Sequence, residues 1–374
     1  MNKGSVFDAL QEYDSFDFPA FFAAVSEQDV AQVLRKDHLS LADYMKLLAP
    51  AAEAFLEPMA QKAKDLTARH FGRTILLFTP IYVSDVCSNQ CRYCGFSALN
   101  TELKRNHLTL EEVELEAQAV AKTGLKHIVF LTGDAPQIAS VNYMEECTKI
   151  FRKYFSSISI EVYSLTKAEY EQLVQAGVDN MTMFQETYNA ALYDTLHLKG
   201  PKKDYLFRLD APERACQSGM ASVSIGALLG LDQWRQECFK TGLHAMYLQT
   251  KYPAVAVSIS VPRMRPHTGE FQPPVAVTDK NLVQYILAYR LFMPYSGITM
   301  SSRETPVMRD HMMGIGVTKM SAGACTVVGG HIAHQKNAGQ FDTSDERDVS
   351  AMKDAILRQG CQPVMKDWQP LWSR

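Results

Sequence analysis

The sequence has no excess of charge of either sign. Its 38 Lys and Arg stand against 41 Asp and Glu, a net charge of −3 over 374 residues. So even a balance carries no electrostatic footprint for nucleic acid or an anionic bilayer. Long apolar runs are also missing, and no uninterrupted stretch approaches the roughly 20 residues that span a membrane. The N-terminal "MNKGSVFDALQEYDSF" places acids where a secretory leader needs an apolar core. These absences predict a cytoplasmic protein with no nucleic-acid or membrane partner. What remains, 47% apolar and 21% charged residues, is an ordinary globular profile.

Eight cysteines are present, and in a cytoplasmic chain they read as thiols or metal ligands rather than disulfides. Cys147, Cys216, Cys238, Cys325 and Cys361 are scattered and read as small buried or half-buried thiols. Cys87, Cys91 and Cys94 are different. They crowd into "IYVSDVCSNQCRYCGFSALN" with spacing C-x3-C-x2-C and no obvious fourth partner. Structural zinc wants four ligands, usually in paired C-x2-C units. An electron-carrying four-iron cluster also takes four thiolates, commonly with a terminal proline, whereas Cys94 is followed by Gly95 and Phe96. A thioredoxin-like pair from Cys91 and Cys94 leaves Cys87 unexplained. Three thiolates on a cluster leave one iron open to a reactant, as a catalytic zinc keeps one position free.

The first seventy-odd residues read as helices, with Ser40 or Asp43 opening one of them. From "TILLFTPIYVS" onward, buried apolar runs alternate with capped helical segments. Thr109 with Glu112 and Thr166 with Glu169 form capping boxes, and Gly124 and Gly177 act as stops. "PKKDYLFRLDAPERACQSG" reads as one helix. Seven or eight such units over roughly 250 residues predict an α/β fold, a TIM-type (β/α) barrel, full or partial. A doubly wound open sheet is the alternative. The barrel is preferred because Cys87, Asp134, Tyr163, Gln185, Arg263 and Arg303 follow successive strands, and chemistry gathers at the C-terminal mouth of a barrel. The expected division is a helical extension (1–75), the barrel (76–326) and an irregular or helical extension (327–374).

The cysteine stretch resembles the radical S-adenosylmethionine (SAM) superfamily, whose signature is C-x3-C-x-Φ-C with Φ aromatic. Cys87, Cys91, Tyr93 and Cys94 fit each position. "FQETYN", "LHLKGPKKDYLFRLDAPERACQSGM", "SIGALLGLDQWR", "SVPRMRP" and "SSRETP" look like its tyrosine lyase branch. The tail "GQFDTSDERD" with "QPVMKDW" looks like the 2-iminoacetate synthases of thiamine thiazole biosynthesis. The match runs from about Leu48 to Trp368. The tyrosine lyases of [FeFe]-hydrogenase maturation carry a further C-terminal domain with a second cluster. The tail here offers only Cys325, His331, His334 and Cys361, read as incidental to a glycine-rich loop.

The resemblance implies a [4Fe-4S] cluster on Cys87, Cys91 and Cys94, with SAM on the open iron. It implies a deoxyadenosyl radical that takes hydrogen from the tyrosine amine. The Cα–Cβ bond of L-tyrosine then breaks to 2-iminoacetate and p-cresol. Thiazole synthase would receive the product, and flavodoxin or ferredoxin would supply electrons. Gly133 and Asp134 fill a turn that meets the methionine amine, Asp134 departing from the branch's more usual Glu. Arg208 matches the arginine that pairs with the methionine carboxylate. Gln185 or Glu186 matches the ribose contact, Gln185 being preferred, and Leu228 lies in the adenine segment. Glu161 is a pocket acid if its strand face points inward. Lys202 and Arg214 read as solvated helix charges. Arg303 and Arg263 or Arg265 are candidates for the tyrosine carboxylate, with Ser301 and Ser302 as hydrogen-bond donors. His267, Glu304 and Tyr163 are candidate partners for the phenol. The rivals are a tryptophan lyase, a hydrogenase-maturation tyrosine lyase, and an iron–sulfur carrier.

Overall fold

The computed structural model describes residues 4–266, 270–332 and 339–366. His267 and His334 lie outside them. Eight strands run parallel: β1 (Thr74–Ser84), β2 (His127–Thr132), β3 (Ser157–Glu161), β4 (Asn180–Glu186), β5 (Ser222–Ala227), β6 (Ala256–Ser260), β7 (Gly297–Met300) and β8 (Lys319–Ser321). Each pairs with the next, and β8 pairs back onto β1 through Leu76–Lys319 and Phe78–Ser321. That last pairing closes the sheet into a barrel and removes the open-sheet alternative.

The helices start where their caps lie. Thr109, Thr166 and Thr278 each accept from the backbone three residues on, and residue N3 returns the bond. Gly177 ends its helix at φ 114, a conformation a Cβ would strain. The segment expected as one helix after β4 is three pieces: a turn Pro201–Lys203, then helices Tyr205–Leu209 and Ala211–Gln217. Pro212 has no N–H for an unbroken ladder and opens the last piece instead. The break turns Arg208 towards the strand ends.

The N-terminal helices Leu41–Leu47 and Leu56–Phe71 pack on the barrel helix Asp279–Phe292. Tyr44 is fully buried there, stacked on Phe292 at 4.6 Å, with its hydroxyl donating to Cys238 O at 2.9 Å. The tail contributes helix Val349–Arg358 and strand β9 (Gln362–Val364). Strand β9 pairs parallel with the first residues of β1, Thr74–Leu76, at the N-terminal end of the barrel. Among the described residues no helix is long and apolar enough to cross a membrane.

Candidate active site at the barrel mouth

Strand β1 ends at Ser84, and the next ten residues carry all three clustered cysteines. The loop is held from both sides. Ser88 N–H and Oγ donate to Asp134 O at 2.9 and 2.8 Å, and Asn89 Nδ2 donates to the Asp134 carboxylate at 2.6 Å. Gly133 lies so close beneath that a Cβ would sit 2.3 Å from Val86 O. Cys91 and Tyr93 pack with Leu196, Leu228 and Leu231 in a small apolar cluster separate from the main core. All three thiols are free. Burial raises each thiol pKa, that of Cys87 to about 12, and Cys94 adds to the rise at both Cys87 and Cys91. Backbone N–H groups of Asn89 and Asp134 face the Cys87 sulfur, and that of Phe96 faces Cys94.

Among the described residues no three His, Cys, Asp or Glu side chains converge on one ion position. A single tetrahedral ion would draw its thiolates to about 3.8 Å from one another. Three free thiols, two of them faced by backbone N–H donors, are a donor set of the chemistry that iron–sulfur clusters use.

Adjoining cavities that share Glu161 and Phe184 run from this loop into the barrel. The outer one, lined by Cys94, Tyr93, Leu228, Glu186 and Lys202, meets an inner one lined by Glu161, Phe184, Ser301 and Arg303. A side lobe reaches Asp134, Thr132 and Arg208. Tyr93 and His197 are 2.6 Å apart, and His197 Nδ1 is 2.7 Å from Tyr193 O. A carbonyl only accepts, so Nδ1 carries the hydrogen and Tyr93 donates to Nε2. Burial, then Lys202, lowers the His197 pKa to about 3, which agrees with that neutral tautomer. Arg208 Nε donates to Phe184 O at 2.8 Å, and its Nη2 stands 3.6 Å from Glu186. Glu161 ends β3 beside the cavity, and burial raises its carboxyl pKa to about 7 against the pull of Arg303. Arg303 lies with its guanidinium 3.3 Å from the Phe341 ring centroid.

Two expected site residues are placed elsewhere. Gln185 is buried but lines none of these lobes, whereas its neighbour Glu186 lines the outer one. Glu186 is the single non-glycine residue with positive φ (71°) among the described residues, at a register shift between β4 and β5. That turn brings its carboxylate onto Lys202. Arg263 is also removed from the cavity. Its guanidinium is held by Glu304, by Asp279 at 2.8 Å and by Val277 O at 2.9 Å. Glu304 is thereby taken by Arg263 and Arg265, and Tyr163 is buried with its hydroxyl on Ala139 O at 2.9 Å.

Comparison with known proteins agrees with this arrangement. Residues 81–240 match the radical SAM superfamily, and residues 260–362 match the biotin and thiamin synthesis associated domain. The chain is 38% identical to 2-iminoacetate synthase of Salmonella typhimurium over 341 residues, 91% of this chain and 90% of that protein. The 2-iminoacetate synthase of Escherichia coli is 37% identical over 92% of each. The chain belongs to the 2-iminoacetate synthase family. Among solved structures, the FeFe-hydrogenase maturase HydG from Carboxydothermus hydrogenoformans superposes with a TM-score of 0.89 at 29% identity, over 97% of this chain and 86% of that one. Methylornithine synthase (PylB), at 21% identity and a TM-score of 0.72, shares the fold.

In this family member several cavity groups were not evident from residue types and spacing. Lys202, expected to be solvated, is half-buried, lies 5.6 Å from the Tyr93 ring centroid and pairs with Glu186. Burial and Arg208 act to lower its pKa, yet Glu186 and the nearby Cys91 hold it above the ordinary value. Gln340 and Phe341 come from the tail and cover the mouth. Tyr82 donates to Gln340 Oε1 at 2.8 Å, and a Cβ on Gly95 would sit 2.6 Å from Gln340 O. A buried Asp345 pairs with Arg309 and Arg347 and fixes this strap. His331 donates to Pro80 O at 2.8 Å and receives support from Glu116, a packing role.

Proposed function

We propose that the chain cleaves the Cα–Cβ bond of L-tyrosine to 2-iminoacetate and p-cresol, a radical SAM lyase reaction serving thiazole formation in thiamine biosynthesis. The observation that carries the reading is a pair of adjoining cavities at the barrel mouth, the outer one lined by Cys94 of the three-thiol loop and both lined by a half-buried arginine, Arg303. Cys87, Cys91 and Cys94 would hold a [4Fe-4S] cluster, leaving one iron for the amino and carboxylate groups of SAM. When bound, the pair supplies one-electron chemistry and a hydrogen-abstracting radical.

The chain's own residues bind, orient and shield. Arg208 has its Nε fixed on Phe184 O, which leaves the outer nitrogens to face a methionine carboxylate. Asp134 and Gly133 meet the methionine amine from the loop side. Glu186 takes the ribose position expected of Gln185, and Leu228 lies against the adenine. Deeper in, Arg303 and Ser301 hold the tyrosine carboxylate, and Glu161 stands between the two ligands. The strap with Gln340 and Phe341 keeps water from a reactive intermediate. Thiazole synthase as the recipient of 2-iminoacetate, and flavodoxin or ferredoxin as reductant, complete the proposal.

The test is deoxyadenosine formation by the reconstituted, reduced protein with SAM. We expect L-tyrosine to stimulate it strongly and L-tryptophan to leave it at the basal rate. Equal rates with and without tyrosine would sink the reading.

A further inference from the structure

A tyrosine substrate, on whose assignment this inference rests, brings a phenol that needs a partner. Barrel interiors are ordinarily filled by layers of Val, Ile and Leu. Here Thr182, Ser224, Ser260, Thr299 and Ser321 line the inner cavity instead. Short side chains leave room, a cavity of about 100 Å³.

One long cation lies among them. Lys319 on β8 lines the cavity, and register places it level with Thr299 on β7 and Leu76 on β1. Ser301 is two residues further towards the mouth, about 7 Å at 3.3 Å per residue. That depth is close to the reach from the α-carbon of tyrosine to its phenol oxygen. Lys319 Nζ lies 5.3 Å from the Phe78 ring centroid and 3.4 Å from His127 Nε2, which is itself 2.8 Å from Ser159 Oγ. Phe78 gives an apolar wall for a second aromatic ring. Burial, then Lys319, pushes the His127 pKa well down, so the positive charge of this floor is the lysine's. Glu161, the carboxylate among the lining residues, stands at the mouth end of β3, level with Leu131.

We propose that Lys319 recognises the phenol, its ammonium donating a hydrogen bond to the tyrosine oxygen at the cavity floor while Arg303 holds the carboxylate above. An ammonium has three donors, so this bond adds to the contacts Lys319 already makes. Such a site favours substrates with a para oxygen over phenylalanine, which offers that ammonium no acceptor. It also favours the phenolate, so affinity climbs with the acidity of the phenol.

The test is calorimetric binding to the cluster-loaded protein with SAM, using L-tyrosine, L-phenylalanine, 3-fluorotyrosine and 3,5-difluorotyrosine. The wild type is expected to bind tyrosine about 10- to 100-fold more tightly than phenylalanine, and the fluorinated series more tightly as acidity rises. Lys319→Met should bring tyrosine to within a few-fold of phenylalanine, flatten the series, and leave phenylalanine affinity unchanged. Retained tyrosine preference in that variant, or a flat series in the wild type, overturns the assignment. The wild-type series decides alone if Lys319→Met does not fold. A wild type that makes p-cresol yet ignores phenol acidity refutes Lys319 and spares the tyrosine reading; a wild type that neither binds nor cleaves tyrosine refutes both.

Discussion

Glu161 is a carboxyl with a pKa near neutrality, and burial is the main reason. Between its ordinary value of 4.5 and about 7, the unfolded chain has released this proton while the folded chain keeps it. The group therefore contributes stability below about pH 4.5 and loses it as pH rises towards 7. In cofactor-free protein, thermal melts of the wild type should decline relative to Glu161→Gln across that window, and parallel curves would show that the carboxyl is already ionised. Cys91→Ala removes one of three proposed cluster ligands. Iron per chain after reconstitution should fall severely and deoxyadenosine formation should vanish, although the fold persists by circular dichroism; retention of both would show that Cys91 is not a ligand. The placement of Arg263 and Glu186 was poorly legible for separate reasons. Arg263 meets Glu304, 41 positions on, which no local spacing reveals. Both faces of β4 are buried, as parallel strands require, so alternation could not say whether Gln185 or Glu186 faced the cavity.

At the scale of elements, the strands were legible because each is a short apolar run set off by capped helices. The run 74–84 is the strand β1 itself. The broken helix after β4 was less so, since Pro212 fits the first turn of a new helix as well as a kink in an old one. That ambiguity hid the inward turn of Lys202, whereas Arg208 was expected at the site from the resemblance. The cysteine loop depends on Gly133 in turn. Gly133→Ala would press a methyl into Val86 O, a backbone atom with nowhere to go. The loop should shift, and iron incorporation should drop several-fold with a cost of about 1–3 kcal/mol in stability; unchanged iron content and melting would contradict this packing. The strap is held by charge. Asp345→Ala leaves Arg309 buried without its carboxylate, a loss of about 3–5 kcal/mol. A lower melting temperature together with a raised KM for tyrosine is expected if the strap closes the mouth, and an unchanged KM would argue against that role.

At the scale of the molecule, closure of eight strands puts the cysteine loop, the Arg208–Glu186–Lys202 group and Arg303 around adjoining cavities at one mouth. The barrel was legible from the repeat of strand and capped helix. The contribution of the tail was not. Strand β9 is three residues long, and Gln340 meets Cys94 across 246 positions and Tyr82 across 258. Such contacts leave no periodic trace in a sequence. Product analysis tests the central claim most directly. The reconstituted protein, incubated anaerobically with SAM, a reductant and L-tyrosine, should release p-cresol and deoxyadenosine in equal amounts, with 2-iminoacetate recovered as glyoxylate after hydrolysis. Deoxyadenosine without p-cresol would contradict the tyrosine lyase account.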